Sequence, residues 1–559
     1  MATSCEDGNQ SDQEARPLAN FTPSLWKDRF ISFSMDYELL KTYTKEVEEL
    51  KKEVKHMLVV RGDEPAKKMV LINTLERLGV SYLFETEIEE QLEWMFANFE
   101  DRNYDLFTIA LFFRVFRQHG HKICCDVFDK FRDGNSHFKE TLSDDVTGML
   151  SLYEATHLKI HGQEDILDEA LDFVKAHLES VTPHLPLVLA EEVMHALKQP
   201  CHRGIPRIEA RHYISVYEKH DSRDEKILRL AKLDFNKLQL LHREELCHIS
   251  RWWKDLDLVS EVPYARNRIV ECFLWSFSAY FEPQYSLARM ILAKIIAMVT
   301  ITDDTYDAYG TRKELKLFTA AVQRWDVAAI DGLPAYMKAL YRVVLKFYDE
   351  LDREITKQGR AHVGCYAKAA QLGLCSAIVN QFKRIVRAYD VESEWLQEGY
   401  VPSFDEYLTN ALETSNCVLQ TSSFMGMGEL ATSEAFEWLQ CKPKMLMASA
   451  LIGRLRNDIT SHKDEEKRKH VATGLKCYME QHGVTEQEAL GELHRRIESE
   501  WKHINEEMLR PNAISRHLLM RILNLTRFLD VVYKYDDGFT HPETVLDHIN
   551  SLFINPINF

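Results

Sequence analysis

The feature that most restricts what this chain can become is the spacing of its apolar residues. In VEELKKEVKHML (47–58), MVLINTLERLGV (69–80) and EIEEQLEWMFANF (87–99) apolar side chains recur at three- and four-residue steps, with charged faces between them. That is the pattern of helices buried along one stripe. From Glu46 onward the same rhythm runs through almost the whole chain, and no period-two alternation holds over a useful length. The 21 glycines and 15 prolines fall mostly between the periodic segments. The expectation is an all-α chain with few or no strands, in a helix–turn–helix rhythm that suits a solenoid or an (α/α) barrel.

A chain of 559 residues exceeds one ordinary hydrophobic core, so two or more domains are expected. The polar run EKHDSRDEK (Glu218 to Lys226) marks the boundary, because a long amphipathic segment restarts directly after it. The division is then residues 1–15 as a polar, disordered N-terminus, 16–225 as an N-terminal helical domain, and 226–559 as a C-terminal domain. At the start of the second of these, RPLANFTPSLW (Arg16 to Trp26) is kept extended by Pro23 and reads as a clamp laid across another surface. Ser143-Asp144-Asp145 reads as a helix N-cap.

Lys and Arg number 69 against 87 Asp and Glu, a net charge of −18. This excludes an extended nucleic-acid or anionic-membrane surface but leaves room for a local basic site. Eleven cysteines without a CxxC pair point to free thiols in a reducing compartment, with Cys124 and Cys125 as buried small hydrophobes. The longest apolar run, Met290 to Ile301, is interrupted by Lys294 and is shorter than the roughly 18 residues of a membrane span. It reads as a buried helix. Four acids and no Lys or Arg precede Arg16, the reverse of a transit peptide, so the expected location is the cytoplasm.

Chemistry concentrates in three places. In AMVTITDDTYDAY (297–309) an apolar run ends in Asp303, Asp304 and Asp307. Helical offsets put Asp304 with Asp307, or Asp303 with Asp307, on one side of adjacent turns. Such acids repel unless a cation sits among them, and hard oxygen ligands suit Mg²⁺ bridging to a phosphate. Upstream, Arg266 and Arg268 offer two planar forks for a phosphate or diphosphate. Downstream, Asn457, Ser461 and Glu465 stand at i, i+4 and i+8, a column of oxygen donors, with Arg454 one turn earlier. Near the C-terminus, Tyr533, Asp537 and Gly538 form a polar turn able to close over a site, with Gly538 as hinge. No phosphate-cradling glycine loop, zinc spacing or nucleophile elbow competes.

Together these features resemble the plant class I terpene synthases, above all the cytosolic sesquiterpene cyclases. The likeness runs from the Arg16–Trp26 clamp through Arg-x-Arg at 266–268, DDTYD at 303–307 and NDITSHKDE at 457–465 to DGFTHPE at 537–543. It implies two α-helical domains: an N-terminal α-barrel-like domain, catalytically silent because DxDD is absent, and a C-terminal class I domain holding the site. It implies Mg²⁺, three ions with Mn²⁺ as a substitute, on Asp303, Asp304 and Asp307 at one rim and on Asn457, Ser461 and Glu465 at the other. Arg266, Arg268 and Arg454 would hold the diphosphate of a prenyl diphosphate substrate. Trp275 matches an active-site tryptophan, and Tyr533 and Asp537 match a lid pair implicated in closure and late proton or cation handling.

The implied activity is ionisation and cyclisation of farnesyl diphosphate by a monomer, with diphosphate released. A monoterpene synthase using geranyl diphosphate, a prenyl diphosphate synthase and a non-catalytic helical scaffold are the alternatives. Two departures affect the pocket: Phe539 stands where many relatives have Tyr, and Asn416-Cys417 where some have Thr and an aromatic residue.

Overall fold

The computed structural model describes residues 16, 19 and 21–559, except 61–63, 101–103, 163–164, 363–366, 416 and 469–470; side chains at 354–362, 367–378, 417, 418 and 468 are not described. The expected disorder of residues 1–15 and the departure at Asn416 therefore lie outside the described residues. Within them the chain is helical throughout, and the one β-feature is an isolated bridge between Arg132 and Phe138.

Local sequence sets the helix ends. Asp145 accepts the Gly148 N–H at 2.8 Å and starts the helix Val146–Thr156, the N-cap expected at that acidic triplet. Asp224 accepts the N–H groups of Lys226 and Ile227 and starts the 31-residue helix Glu225–Asp255. This long helix packs along Tyr37–Val59 on one side and against Ile269–Ala279 on the other, so it joins the N-terminal helices to the C-terminal bundle.

The helix Ser286–Ala308 carries the aspartates and is the spine of that bundle. Here the sequence-based reading needs correction. The segment Pro283–Ala308 is long and apolar enough to cross a membrane by length and composition, because Lys294 alone does not break its hydropathy. Its side chains are nonetheless mostly buried in protein, among Ile269–Ala279, Ala367–Glu398 and Cys417–Ser422. The seven cysteines described are free thiols; Cys125 is buried, but Cys124 is exposed, the two neighbours lying where an extended segment turns into a short 3₁₀ helix.

Polar contacts lock the N-terminal helices to the C-terminal ones. Arg203 pairs with Glu498 through two hydrogen bonds of 2.6 Å, and Asn505 bonds His202 at 2.8 Å and the carbonyl of Lys159 at 2.8 Å. The described residues before Tyr37 lie across the C-terminal bundle. The Trp26 indole donates to the buried Glu271 carboxylate at 2.8 Å, and Arg16 binds Glu314.

Candidate active site

A cavity of about 190 Å³ opens at the end of the aspartate helix. Asp303 and Asp307 line one wall; Arg454, Asn457 and Glu465, on the helix Lys444–Arg468, line another. Between them stand Trp275, Ile296, Val299 and Leu419, with Tyr533, Asp537 and Phe539 at the C-terminal side. Residues separated by more than 150 positions in sequence thus surround one hollow.

The three aspartates do not act alike. Helical geometry turns Asp303 and Asp307 into the cavity, whereas Asp304 is fully buried and turned towards Arg266. Its carboxylate accepts the Arg266 backbone N–H at 2.6 Å and the side-chain Nε at 2.8 Å. The same guanidinium donates to Asp303 at 2.9 Å. Arg266 thus balances part of the charge of Asp303 and Asp304. Burial, helped by the charge of Asp307, pushes the Asp303 carboxyl up to about 7, with Arg266 opposing the rise.

Arg268 is buried, and its guanidinium donates to the carbonyls of Phe539 and Thr540 at 3.0 and 3.2 Å rather than lining the cavity. It ties the C-terminal turn to the start of Ile269–Ala279. Asp537 stiffens that turn from within, accepting the N–H groups of Phe539 and Thr540 at 3.0 Å and the Thr540 hydroxyl at 2.6 Å. A Cβ on Gly538 would come within 3.0 Å of the Val532 and Val545 side chains, so close packing is one demand for glycine there.

On the opposite helix Asp458 is buried, takes the Tyr407 hydroxyl at 2.6 Å and lies 3.5 Å from Arg454. Burial lifts its carboxyl to about 6. The Ser461 hydroxyl is buried and lacks a hydrogen-bond partner among the described residues. An orphaned hydroxyl between an amide and a carboxylate at four-residue steps is an unfilled oxygen donor, and with Asp303 and Asp307 opposite the set suits a hard divalent cation.

Three cavity residues carried no spacing signal. Tyr389 and Glu392 lie on Ala367–Glu398, and Tyr389 hydrogen-bonds Asp303. Glu392 accepts the Thr414 hydroxyl at 2.9 Å and the Asn410 amide at 3.2 Å, and burial raises its carboxyl to about 8. Phe21, from the N-terminal strap, lines the mouth with its ring 4.8 Å from the Arg266 guanidinium. The helix Phe404–Thr414 ends just before Cys417–Ser422 begins, and Thr414 and Ser415 face the cavity at that break.

Comparison with known proteins agrees with this geometry. The family model described as terpene synthase, N-terminal domain, matches residues 25–197, and that of the terpene synthase family, metal binding domain, matches 254–503. A valerianol synthase of Camellia hiemalis and a hedycaryol synthase of Camellia brevistyla are each 60% identical over 554 residues, 98% of both chains. Among solved structures, isoprene synthase from grey poplar leaves is 32% identical with a TM-score of 0.85, covering 97% of this chain and 99% of that one. A limonene synthase with 2-fluorolinalyl diphosphate is 28% identical with a TM-score of 0.90, covering 97% and 100%. The poplar enzyme is also known in complex with three Mg²⁺ ions and dimethylallyl-S-thiolodiphosphate.

Proposed function

Since this chain belongs to the terpene synthase family and is a sesquiterpene synthase, a carbon–oxygen lyase, we propose that the cavity ionises farnesyl diphosphate and closes it to one or more cyclic hydrocarbons or alcohols. The observation that carries this reading is the meeting of two oxygen-rich walls, Asp303 with Asp307 and Asn457 with Glu465, over an apolar and aromatic hollow.

Asp303 and Asp307 on one side and Asn457, Ser461 and Glu465 on the other would hold Mg²⁺, or Mn²⁺ in its place, while Asp304, expected as a third ligand on the first side, is held by Arg266. Three ions are the expected number, by likeness to the poplar isoprene synthase complex. Bound metal would supply positive charge to a departing diphosphate. Arg454, which faces the cavity, adds a guanidinium to the same anion. Arg266 does so on passing from Asp303 to the diphosphate, keeping Asp304 as its anchor. Arg268 contributes by holding the Phe539–Thr540 carbonyls, and through them the lid.

Heterolysis of the allylic C–O bond leaves an electron-deficient carbon chain that water would quench. The strap bearing Phe21 and the turn bearing Phe539 cover the mouth and keep water out. Trp275 and Phe539 present ring faces that stabilise positive charge without a nucleophilic atom. Tyr533 and Asp537 stand at the lid end, in position for closure and for late proton handling. Both walls come from one chain, so the site is complete within it, which supports a monomer. We divide it at 225/226, where Asp224 caps the helix that leads into the catalytic half.

The test is product analysis by gas chromatography–mass spectrometry after supplying C10, C15 and C20 prenyl diphosphates with Mg²⁺. Farnesyl diphosphate should be turned over best, with diphosphate released in equal amount to volatile product. Faster turnover of geranyl diphosphate would overturn the substrate assignment.

A further inference from the structure

The stretch SEWKHINE (Ser499 to Glu506) shows two faces of the helix Glu486–Glu507. Trp501, Ile504 and Asn505 are buried, whereas Ser499, His503 and Glu506 stand at i, i+4 and i+7 and stay partly open to solvent. A histidine and a carboxylate three residues apart on one helical face are a recurring chelating pair. None of these residues lines the catalytic cavity.

A third donor comes from the N-terminal half. His161 lies in the turn after Val146–Thr156, and Asn505 holds that turn against the helix by donating to the carbonyls of His157 at 3.1 Å and Lys159 at 2.8 Å. The His161 backbone N–H donates to Glu506 Oε1 at 2.8 Å, and the ring Nδ1 lies 3.0 Å from the same oxygen. The His161 ring stacks on that of His503 with centroids 4.2 Å apart. One donor atom each from His161, His503 and Glu506 lies within 4.8 Å of the other two. Around a tetrahedral ion with bonds of about 2.0–2.1 Å such atoms stand roughly 3.3 Å apart. Rotation of these partly exposed side chains is enough to close the set.

The second contact of each ring decides which nitrogen is free. Glu500 Oε2 lies 2.9 Å from Nδ1 of His503, so that nitrogen carries the proton and Nε2 keeps a lone pair. Ser499 Oγ lies 3.3 Å from Nε2 of His161; with the proton there, Nδ1 faces Glu506 with a lone pair. Lys444 holds the other Glu506 oxygen at 3.2 Å. A carboxylate behind a ligating histidine orients the ring and raises its basicity. Mixed nitrogen and oxygen donors suit Zn²⁺ and similar borderline ions, whereas Mg²⁺ prefers an all-oxygen shell. We propose that His161, His503 and Glu506 form a transition-metal site that takes Zn²⁺, with water in the fourth position. Zinc there ties the turn at 157–162 to the helix Glu486–Glu507, apart from the oxygen-lined catalytic cavity.

Zinc titration of the full chain in saturating Mg²⁺, read by competition with a chromophoric chelator, tests this. One Zn²⁺ per chain should bind, and Co²⁺ in its place should give the visible absorption of a four-coordinate ion. Glu500→Gln should weaken zinc about tenfold, the usual cost of losing a partner behind a ligand, and His161→Gln and His503→Gln should each weaken it at least as much. All three side chains are partly exposed, so the variants should fold and turn over farnesyl diphosphate with Mg²⁺ at the wild-type rate. Asp303→Ala should bind zinc as the wild type does. No stoichiometric zinc, or zinc affinity unchanged in either histidine variant, overturns the site. Loss of zinc in Asp303→Ala overturns it as well, by placing the ion in the catalytic cavity.

Discussion

Arg16 and Glu314 meet fork to fork, the two terminal nitrogens of the guanidinium donating to the two carboxylate oxygens at 2.7 and 2.8 Å. Glu314 also completes the capping box of Arg312–Arg324 and accepts the Tyr336 hydroxyl at 2.9 Å, while the Arg16 guanidinium lies 4.5 Å from the Tyr309 ring. The N-terminal strap is thus pinned two turns beyond Asp307. Burial pushes the Glu314 carboxyl up, but Arg16, the Thr311 N–H and Tyr336 outweigh it and hold the group down at about 2. A depressed carboxyl stabilises above its unfolded pKa of about 4.5 and loses that contribution as pH falls towards 2. Across the range of an enzyme assay the pin is fully ionised.

Arg16→Ala should therefore act on closure, not on folding. The pair is partly exposed, so its loss costs under about 1 kcal/mol of stability. Turnover should fall roughly tenfold as the strap that carries Phe21 frays and water enters. The ratio of wild-type to variant kcat should stay flat from pH 6 to 9. A ratio that varies steeply over that range would mean that another, titrating group holds the strap.

Asp303 and Asp304 are adjacent in sequence but should fail in different ways. Asp304→Ala takes from Arg266 its fully buried partner and leaves it only the cavity-facing Asp303, a loss of up to about 3–5 kcal/mol, and removes activity with it. Asp303→Ala leaves Arg266 paired with Asp304, so urea midpoints should stay close to wild type while diphosphate release drops by roughly 10²–10³-fold. Equal destabilisation by both substitutions would contradict the division of labour between them.

That division shows what the sequence could and could not convey. Helical spacing identified the aspartate face and left open whether Asp303 or Asp304 shares it with Asp307. Arg266 decides, and its approach depends on packing between Ile269–Ala279 and Ser286–Ala308, which no local pattern encodes. Asn457 and Glu465, which line the cavity, were legible because their spacing matches one helical face; Ser461 of the same column is buried. Glu392 and Tyr389 were not, since they come from a helix with no acidic cluster and reach the cavity only through the fold. The cap at Asp145 was readable from short-range chemistry.

Removing divalent metal should make stability fall with rising pH. In the metal-free site burial, with Asp307 adding, lifts Asp303 to about 7, and burial lifts Glu392 to about 8. A carboxyl raised in the folded state contributes fully below its unfolded pKa and loses that contribution as pH rises through the folded value. In EDTA the melting temperature should thus be about 1–3 °C lower at pH 8.5 than at pH 6. Saturating Mg²⁺ should shrink the difference, and its binding should release protons near pH 7. Calorimetry in buffers of different ionisation enthalpy reads that release directly, and its absence would separate these carboxyls from the metal.

The aromatic wall should govern product identity more than substrate capture. Trp275 stacks on Phe528 with ring centroids 5.0 Å apart and meets Phe539 edge-on at 5.6 Å, so its indole is held in a fixed orientation. Its Nε1 has no hydrogen-bond partner among the described residues, which leaves the ring face as its contribution to the cavity. Trp275→Leu keeps an apolar side chain but removes the π face and part of the volume. A desolvated cation–π contact is worth about 1–2 kcal/mol, so kcat should fall roughly tenfold and KM should change little. Phe539→Tyr, by contrast, adds a hydroxyl beside the reacting carbons without emptying any space. It should fold normally, ionise substrate at a near wild-type rate and shift the ratio of products. Gas chromatography at matched conversion separates the two effects, and an unchanged product profile in both variants would remove these rings from the path of the cation.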